Sequence, residues 1–317
     1  MGLIVKGKWV DQWYSTKNSK GNFERQASRF RHTISSEEGH QYPPESGRYH
    51  LYVSLACPWA HRTLIFRALK GLEDVISVSV VRAEMLENGW ELGDKGDPLF
   101  NLDYVYQLYL KAAPDYEGRV TVPVLWDKKT NTIVNNESSD IIRILNTAFN
   151  DVTGNQDDYY PSALRGKIDE VNARVYDTIN NGVYRAGFAT TQDAYNFAYH
   201  ELFESLDWLE SLLSKQRYLV GDTLTEADWR LFTTLVRFDA VYHGHFKCNR
   251  NQLKDFSNLS NYLRELFQVE GVAETVDLEY TKRHYYASHK TINPTLIVPL
   301  GPQQRFDLPH NRANKFN

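Results

Sequence analysis

The chain has 317 residues, of which 42% are hydrophobic, and its formal net charge is -4 at pH 7. This length suits two domains, and an acidic chain without a long basic run is not expected to bind nucleic acid. The two cysteines argue against a disulfide scaffold and favour a reducing compartment. Neither a membrane-span-length apolar run nor the apolar core of a secretory signal occurs, so we expect a cytoplasmic protein without a membrane segment.

Residues 1–48 are polar and aromatic, with scattered glycines and the pair Pro43-Pro44. This composition predicts an extended N-terminal arm with little regular structure. Three arginines at positions 25, 29 and 31 fall close together in the arm. A solvated charged face is the favoured interpretation of such a group.

Residues 51–67 read LYVSLACPWAHRTLIFR and change from one periodicity to another. The alternation around Leu51 predicts a strand, and the helical spacing from Ala60 onward predicts a helix. Cys57 stands at the junction, directly before Pro58, and proline suits the first turn of a helix. The free N–H groups and the positive dipole end of that helix favour a thiolate at Cys57. A thioredoxin-type fold presents a nucleophilic sulfur in this way.

Cys57 has two interpretations. A lone cysteine is often a small buried hydrophobic residue, but the proline and the change from strand to helix favour a reactive sulfur. Ala60 occupies the position where a Cys-x-x-Cys motif would carry its second sulfur. A dithiol cycle within the motif is therefore excluded, whereas a monothiol cycle resolved by an external thiol stays open.

The elements that follow are strands and helices in alternation. Residues 75–81 predict a strand, and residues 82–99 predict a glycine-rich loop that contains Trp90. A tryptophan in such a loop either packs back on its domain or covers a ligand, and packing is the favoured interpretation. Residues 99–111 predict a helix, and residues 121–127 predict a strand that carries a proline near its start.

A further helix is marked by Ile141, Ile144 and Leu145, after a short strand at residues 133–134. Its unsatisfied N–H groups could be capped by Ser138, or they could bind an anionic ligand. The sequence by itself favours capping.

The second half of the chain is helical. Residues 150–160 are rich in Asn, Asp and Gly and predict a linker, and residues 161–290 contain four predicted helices. Residues 291–317 carry four prolines and predict an extended tail. With residues 49–149 as the first domain, the predicted fold is an α/β thioredoxin-like N-terminal domain followed by an all-α C-terminal domain.

This architecture resembles that of the cytosolic glutathione transferases. The segment TVP at residues 121–123 resembles the Val-Pro segment whose backbone pairs with glutathione in that family. Glu137-Ser138 resembles the acidic–Ser pair that holds the γ-glutamyl group, and Cys57 stands where the family places its catalytic residue.

A narrower resemblance covers residues 45 to 290 and points to the glutathionyl-hydroquinone reductases, the Xi class of glutathione transferases. Four separate motifs carry it: CPWA from Cys57, VYRAGFA from Val183, RFDAVYH from Arg237 and KRHYY from Lys282. The long arm and tail also suit that class. The resemblance implies a homodimer that uses glutathione as its co-substrate.

The resemblance also implies a role for individual residues. Cys57 would attack the glutathione sulfur of a glutathionyl-hydroquinone, and a second glutathione would resolve the resulting mixed disulfide. Tyr184 corresponds to the proton donor, and Tyr242 and Tyr285 correspond to residues that hydrogen-bond near the thiolate and lower its pKa. The positions that match the family's glutathione contacts are Trp90, Arg119, Val120, Thr121, Val122, Glu137 and Ser138.

Two other functions are compatible with the same sequence. A glutathione transferase or thiol transferase acting on other electrophiles or mixed disulfides is the main alternative, and a non-enzymatic binding module is the second. Conjugating transferases usually stabilise a glutathione thiolate with Ser or Tyr, so Cys57 disfavours conjugation. The spacing of His243, His245 and Cys248 fits no standard zinc pattern, so we expect no metal there and instead a structured bend after a helix.

Overall fold

The computed structural model describes residues 2–14, 19–93 and 96–316. They form two compact units. The first comprises the chain through Trp13 together with Gln26–Asp157, and the second comprises Tyr14–Arg25 and the chain from Asp158 onward. Residues 15–18 of the predicted arm, residues 94 and 95 of the predicted loop, and the two terminal residues lie outside the described residues.

The first unit is a mixed α/β structure. Its elements in chain order are β1 (Leu3–Val5), β2 (Lys8–Val10), β3 (Tyr49–Val53), α1 (Pro58–Leu69), β4 (Ser77–Val80), α2 (Val105–Ala112), β5 (Gly118–Arg119), β6 (Val124–Asp127), β7 (Thr132–Asn135), α3 (Ser138–Thr147) and α4 (Asn150–Thr153).

The larger sheet of this unit has the strand order β4-β3-β6-β7. Strand β3 runs parallel to β4 and antiparallel to β6, and β6 runs antiparallel to β7. Every residue of β3 is buried, as expected for a central strand. Helices α1 and α3 pack against each other. The arrangement confirms the predicted α/β domain and places the turn between β3 and α1 at the end of the central strand.

The N-terminal arm contains regular structure that the sequence did not predict. Strand β1 pairs with both β2 and β5, so that Leu3 lies opposite Val10 on one side and Arg119 on the other. Ile4 is fully buried in this small sheet. The prediction of little regular structure is therefore wrong for residues 3–10, because strands of three residues are too short to reveal a period.

Two arginines of the arm belong to the first unit and form ion pairs. A guanidinium nitrogen of Arg31 lies 2.8 Å from a carboxylate oxygen of Asp140, and Arg29 lies 3.6 Å from Asp115. Both arginine side chains are about half exposed, at 48% and 51%. The charged-face interpretation therefore suits these two, whereas Arg25 belongs to the second unit.

Helix α2 begins later than predicted, at Val105 instead of residue 99. The Asp97 carboxylate accepts hydrogen bonds from the backbone N–H groups of Leu99 and Phe100, at 3.1 and 2.8 Å. Such local side-chain bonds hold the backbone in a turn and compete with helix formation. The helix starts instead after Tyr104, whose N–H donates to the Gln107 side chain at 2.9 Å.

The second unit is helical, which confirms the predicted class of the second domain. Its longer elements are α5 (Arg165–Val175), a π-helical turn (Tyr176–Asn180), α6 (Gly182–Gly187), α7 (Gln192–Leu213), α8 (Glu226–Arg237), a second π-helical turn (Phe238–Tyr242), α9 (Ser257–Phe267), α10 (Leu278–Ser288) and α11 (Arg312–Lys315). In the described parts of the chain, no helix is long and apolar enough to span a membrane.

The C-terminal tail is mostly irregular but is fixed at its end by Arg312. This side chain is 1% exposed. Its guanidinium donates to the carbonyl oxygens of Leu213 and Gln216 at 3.1 and 2.8 Å and lies 3.2 Å from the Glu265 carboxylate. The arginine therefore supplies donors to carbonyls at the end of α7, which lack helical partners.

Candidate active site

Cys57 lies directly before α1 and caps its N-terminus with an extended backbone conformation. Its carbonyl accepts the first helical hydrogen bond from His61 at 2.9 Å, and Pro58 occupies the first helical turn. The sulfur lies 3.5 Å from the Val122 carbonyl oxygen, to which the thiol donates. The side chain is 8% exposed. The predicted position of the sulfur at a helix N-terminus is confirmed, and that position favours a thiolate.

The segment that contacts this sulfur precedes β6. The predicted strand over residues 121–127 is shorter than expected, since β6 begins at Val124 and the Val122–Pro123 peptide is cis. The segment is held by the phenol of Tyr109, which donates to the Thr121 carbonyl at 2.8 Å and accepts from the Thr121 N–H at 3.3 Å. The Val122 carbonyl is thereby kept beside Cys57.

Tyr109 also links this segment to the start of α3. Its oxygen accepts a hydrogen bond from the Asn136 side chain at 3.1 Å. Burial raises the pKa of the Tyr109 phenol, so it stays neutral and keeps its proton for donation. One buried phenol therefore joins α2, the segment before β6 and the residues before α3.

The start of α3 differs from the predicted cap. Glu137, not Ser138, is the N-cap, and its carboxylate accepts from the Ser139 N–H at 3.1 Å. Ser138 lies within the helix and is buried, and its hydroxyl accepts from Arg62 at 3.5 Å. The capping prediction for Ser138 is wrong because the acidic side chain one residue earlier accepts from the Ser139 N–H.

Trp90 and Arg119 also belong to the first unit. Trp90 is 4% exposed, as the packing interpretation predicts, and its carbonyl accepts from the Val105 N–H at 2.9 Å, which fixes the loop to the start of α2. The Arg119 guanidinium donates to the carbonyl oxygens of Gln12 and Trp13, the latter at 3.1 Å. Val120 is buried at 1% exposure. None of these observations tests the predicted glutathione contacts of these residues.

Three tyrosines of the second unit form a hydrogen-bonded chain. The Tyr184 hydroxyl bonds to that of Tyr285, and the Tyr285 hydroxyl lies 3.2 Å from that of Tyr242. They come from α6, α10 and the second π-helical turn, and they are separated by 43 to 101 residues in sequence. All three are buried. The structure thus brings together the three tyrosines that the motifs singled out.

The phenols of Tyr242 and Tyr285 are held neutral. Burial raises the pKa of Tyr242 and of Tyr285 well above 10, and the neighbouring Tyr184 adds to the rise. Both therefore keep their protons at neutral pH and can donate hydrogen bonds. The hydrogen-bonded tyrosines can supply a proton from one hydroxyl, and the neighbouring hydroxyls can stabilise the oxygen that loses it.

Tyr184 lies in an aromatic cluster. Its ring centre is 5.4 Å from that of Phe246, 6.1 Å from that of Phe188 and 6.2 Å from that of Phe23. The Arg25 guanidinium lies over the same ring at 4.8 Å. Phe23 and Arg25 come from the N-terminal arm, so part of that arm contributes to the environment of Tyr184.

His243, His245 and Cys248 follow the second π-helical turn. No group of three or more metal-ligating side chains occurs in the described chain. His245 instead bonds through Nε2 to Nδ1 of His289 at 3.0 Å, and burial lowers its pKa to about 4. Burial raises the pKa of the Cys248 thiol, which makes it a poor nucleophile. Residues 243–246 form the turn that the bend interpretation predicts.

Sequence reasoning missed Tyr109, Arg62 and the packing of Arg25. Tyr109 falls on the apolar face of α2 and reads as a core residue. Arg62 is 1% exposed and lies over the Trp59 ring at 4.6 Å, although arginine is seldom fully buried. No local pattern marks the bond of Arg62 to Ser138 or those of Tyr109 to Thr121 and Asn136, because these partners lie on other elements.

Two family models match this chain. The N-terminal domain model of the glutathione S-transferases matches residues 56–148, and the C-terminal domain model matches residues 192–265. The α/β unit with its helix-capping cysteine and the helical unit are thus those of a glutathione S-transferase.

More specific relatives cover the whole chain. It is 55% identical to the glutathionyl-hydroquinone reductase YqjG of Escherichia coli, over 100% of both chains. It is 56% identical to the glutathionyl-hydroquinone reductase PcpF of Sphingobium chlorophenolicum, over 96% of this chain and 97% of that one. The glutathione-bound structure of YqjG superposes with a TM-score of 0.91 at 52% identity, covering 99% of this chain and 100% of that one.

A Xi-class structure from Natrialba magadii gives a TM-score of 0.93 at 48% identity, over 99% of this chain and 97% of that one. The chain belongs to the glutathionyl-hydroquinone reductase family, the Xi class of the glutathione S-transferases.

Proposed function

We propose that this protein reduces glutathionyl-hydroquinones to hydroquinones with glutathione as the reductant and Cys57 as the nucleophile. The observation that carries the proposal is the placement of Cys57 at the N-terminus of α1, where the helix dipole favours a thiolate. The other cysteine, Cys248, is fully buried with a raised pKa and offers no second reactive sulfur. This fits a cycle with one protein sulfur.

The first step forms a mixed disulfide. The Cys57 thiolate attacks the sulfur that joins glutathione to the aromatic ring, and a sulfur–sulfur bond forms as the carbon–sulfur bond breaks. The electron pair of the broken bond stays on the ring carbon, which takes up a proton. The ring carbon is reduced, and the two sulfurs are oxidised to a disulfide.

The second step restores the enzyme. The thiolate of a second glutathione attacks the glutathione sulfur of the mixed disulfide, and Cys57 leaves as a thiolate. The products are oxidised glutathione and the starting form of the protein. Over both steps, one hydroquinone and one oxidised glutathione form for each conjugate consumed.

Tyr184 is the proposed donor of the proton that the ring carbon takes up. A phenol is protonated at neutral pH and is a suitable general acid. The hydrogen-bonded chain through Tyr285 to Tyr242 supports this role, because the Tyr285 hydroxyl can donate to the Tyr184 oxygen as that oxygen becomes negative.

Glutathione is proposed to bind through the first unit. The contacts carried over by resemblance are the backbone of residues 119–122, the side chains of Trp90 and Arg119, and the pair Glu137-Ser138. At the start of α3, the Ser138 hydroxyl can donate to a carboxylate of the tripeptide, and the Glu137 carboxylate can accept from its ammonium group. Tyr109 and Arg62 support the binding residues without being proposed to touch the ligand.

Location and assembly are also proposals. We place the protein in the cytoplasm, where glutathione and a reducing environment sustain a free thiol, and we expect a homodimer by analogy with the family. No metal takes part in the proposed reaction. The main alternative remains a transferase or thiol transferase that acts on other electrophiles or mixed disulfides.

The stoichiometry of turnover distinguishes these functions. With a glutathionyl-hydroquinone and excess glutathione, we expect hydroquinone and oxidised glutathione to appear in equal amounts. An electrophilic aryl halide, which is a substrate for conjugation, should react slowly or not at all. Efficient conjugation of the aryl halide together with inert glutathionyl-hydroquinone would refute the proposal and favour the alternative.

A further inference from the structure

Residues 19–25 pack closely against the helical part of the second unit. The Thr190 N–H donates to the Gly21 carbonyl at 3.2 Å. A Cβ atom at Gly21 would lie 2.6 Å from the Thr191 hydroxyl oxygen, and the residue has a φ of +88°, so glycine alone fits there. Phe23, which follows, is buried at 6% exposure. These contacts fix the position of Arg25.

The Arg25 guanidinium is held by two contacts at once. Its Nε donates to the Asn181 side-chain oxygen at 2.9 Å, and its central carbon lies 4.8 Å from the centre of the Tyr184 ring. Asn181 directly precedes α6, the helix that carries Tyr184. The guanidinium and the phenol are therefore tied to the same short stretch of backbone.

We infer that Arg25 is a positioning residue for proton transfer, which holds the Tyr184 ring and stabilises its phenolate. The inference rests on the proposed function, in which the Tyr184 hydroxyl gives its proton to the ring carbon and keeps the electron pair. The resulting phenolate ring is richer in electrons than the phenol, so a cation over its face attracts it more strongly. A proton from water later restores the phenol.

The negative charge of the Tyr184 phenolate would then be stabilised by two groups. The Tyr285 hydroxyl is hydrogen-bonded to the Tyr184 hydroxyl and can donate to its oxygen once that oxygen is negative, and the Arg25 cation lies over the ring. Preorganised dipoles and charges of this kind lower the barrier because they act where charge develops. The arm thus has a function beyond packing.

The test compares Arg25→Gln, Tyr184→Phe and the double variant in two reactions. One is the release of hydroquinone from a glutathionyl-hydroquinone, and the other is the reduction of a simple alkyl–glutathione disulfide, in which no carbon takes up a proton. Arg25→Gln should slow hydroquinone release by about 3- to 30-fold, the usual range for a cation over an aromatic ring. Disulfide reduction should change by less than about twofold.

The double variant separates positioning from a general structural effect. Tyr184→Phe keeps the ring but cannot form a phenolate, so adding Arg25→Gln should slow it no further. The inference would be overturned if Arg25→Gln slowed the Tyr184→Phe protein as much as it slows the wild type. It would also be overturned if Arg25→Gln slowed hydroquinone release and disulfide reduction equally. Arg185→Gln is the matched control. Arg185 directly follows Tyr184, but its guanidinium lies over the Phe197 ring at 5.4 Å.

A second measurement does not depend on the reaction. With a trifluorotyrosine at position 184, the fluorine signal reports the ionisation of that phenol directly. Its titration should move to higher pH in the Arg25→Gln protein, and an unchanged titration would overturn the inference. If the wild-type protein fails to release hydroquinone while this shift is present, the proposed function falls and the role of Arg25 toward Tyr184 stands.

Discussion

The region around the sulfur and the region around the three tyrosines are built in different ways. Cys57 is placed by its own backbone, by Pro58 and by a contact with the Val122 carbonyl. The tyrosine chain consists of side chains that bond to each other from three elements. The first region should tolerate most side-chain changes other than at the sulfur, whereas the second depends on individual hydroxyl groups.

The largest effect is expected at the sulfur. Replacing Cys57 with Ser should abolish hydroquinone release, because a hydroxyl is a far weaker nucleophile at neutral pH. The matched control is Cys248→Ser, which changes the buried cysteine of the other unit and should retain most of the activity in the protein that folds. Turnover of a folded Cys57→Ser protein near the wild-type rate would contradict the mechanism.

The next largest effect is expected at Tyr184. Tyr184→Phe keeps the ring and removes the proton donor, so hydroquinone release should fall by about 100- to 10,000-fold, the usual contribution of general acid catalysis. Reduction of a simple glutathione disulfide should persist, since a thiolate leaving group needs no proton on carbon. Equal losses in the two reactions would assign Tyr184 to structure or to activation of the sulfur.

These two regions also differ in what the sequence could predict. The strand, Cys57, Pro58 and the following helix are adjacent in sequence, so their arrangement follows from local periodicity and capping. The bonds among Tyr184, Tyr242 and Tyr285 join distant parts of the chain, and among 20 tyrosines no local rule selects them. Their selection depended on resemblance to a family.

The errors concern very short strands and the ends of helices. The strands of the arm were missed because three residues are too few to reveal a period. The late start of α2 and the wrong cap of α3 arise from the side chains of Asp97 and Glu137, which bond to nearby backbone N–H groups. Local side-chain bonds thus shift the ends of helices while leaving the fold unchanged.

Tyr109 is an exception in the region around the sulfur, because its side chain holds the backbone segment that contacts Cys57. Tyr109→Phe leaves the Asn136 amide and the Thr121 backbone without their partner. We expect a loss of about 1–3 kcal/mol in the free energy of unfolding and a rise in the KM for glutathione of about 3- to 10-fold.

The control for that variant is Tyr49→Phe, which removes the hydrogen bond from a buried phenol to the Pro43 carbonyl, 2.7 Å long. It should cost stability without raising the KM for glutathione. Urea unfolding and steady-state kinetics give the two values. Parallel changes in KM for both variants would mean that Tyr109 has no special link to the binding segment.

An effect on folding stability, not on turnover, should appear in both units as the pH falls. Burial lowers the pKa of His50 to about 4 in the first unit, where it lies between the hydroxyls of Ser77 and Ser79 at 2.7 and 2.9 Å. Burial also lowers the pKa of His245 to about 4 in the second unit. An unfolded histidine titrates near 6.5.

Between pH 6.5 and 4 the unfolded chain binds more protons than the folded one, so acid favours unfolding. The stability contributed by each neutral histidine is present above about pH 6.5 and is lost toward pH 4, by roughly 3 kcal/mol for each histidine. Urea unfolding at pH 7 and pH 5 should show a smaller difference for His50→Gln than for the wild type. Identical differences would show that His50 does not titrate on unfolding in this range.

The most direct test of the account is the mass of the protein during turnover. Intact-mass spectrometry after mixing with a glutathionyl-hydroquinone, without free glutathione, should show the gain of one glutathione, and peptide mapping should place it on Cys57. Added glutathione should remove that mass and release oxidised glutathione. Hydroquinone release without any adduct, or an adduct that maps to Cys248, would contradict the claim that Cys57 is the nucleophile.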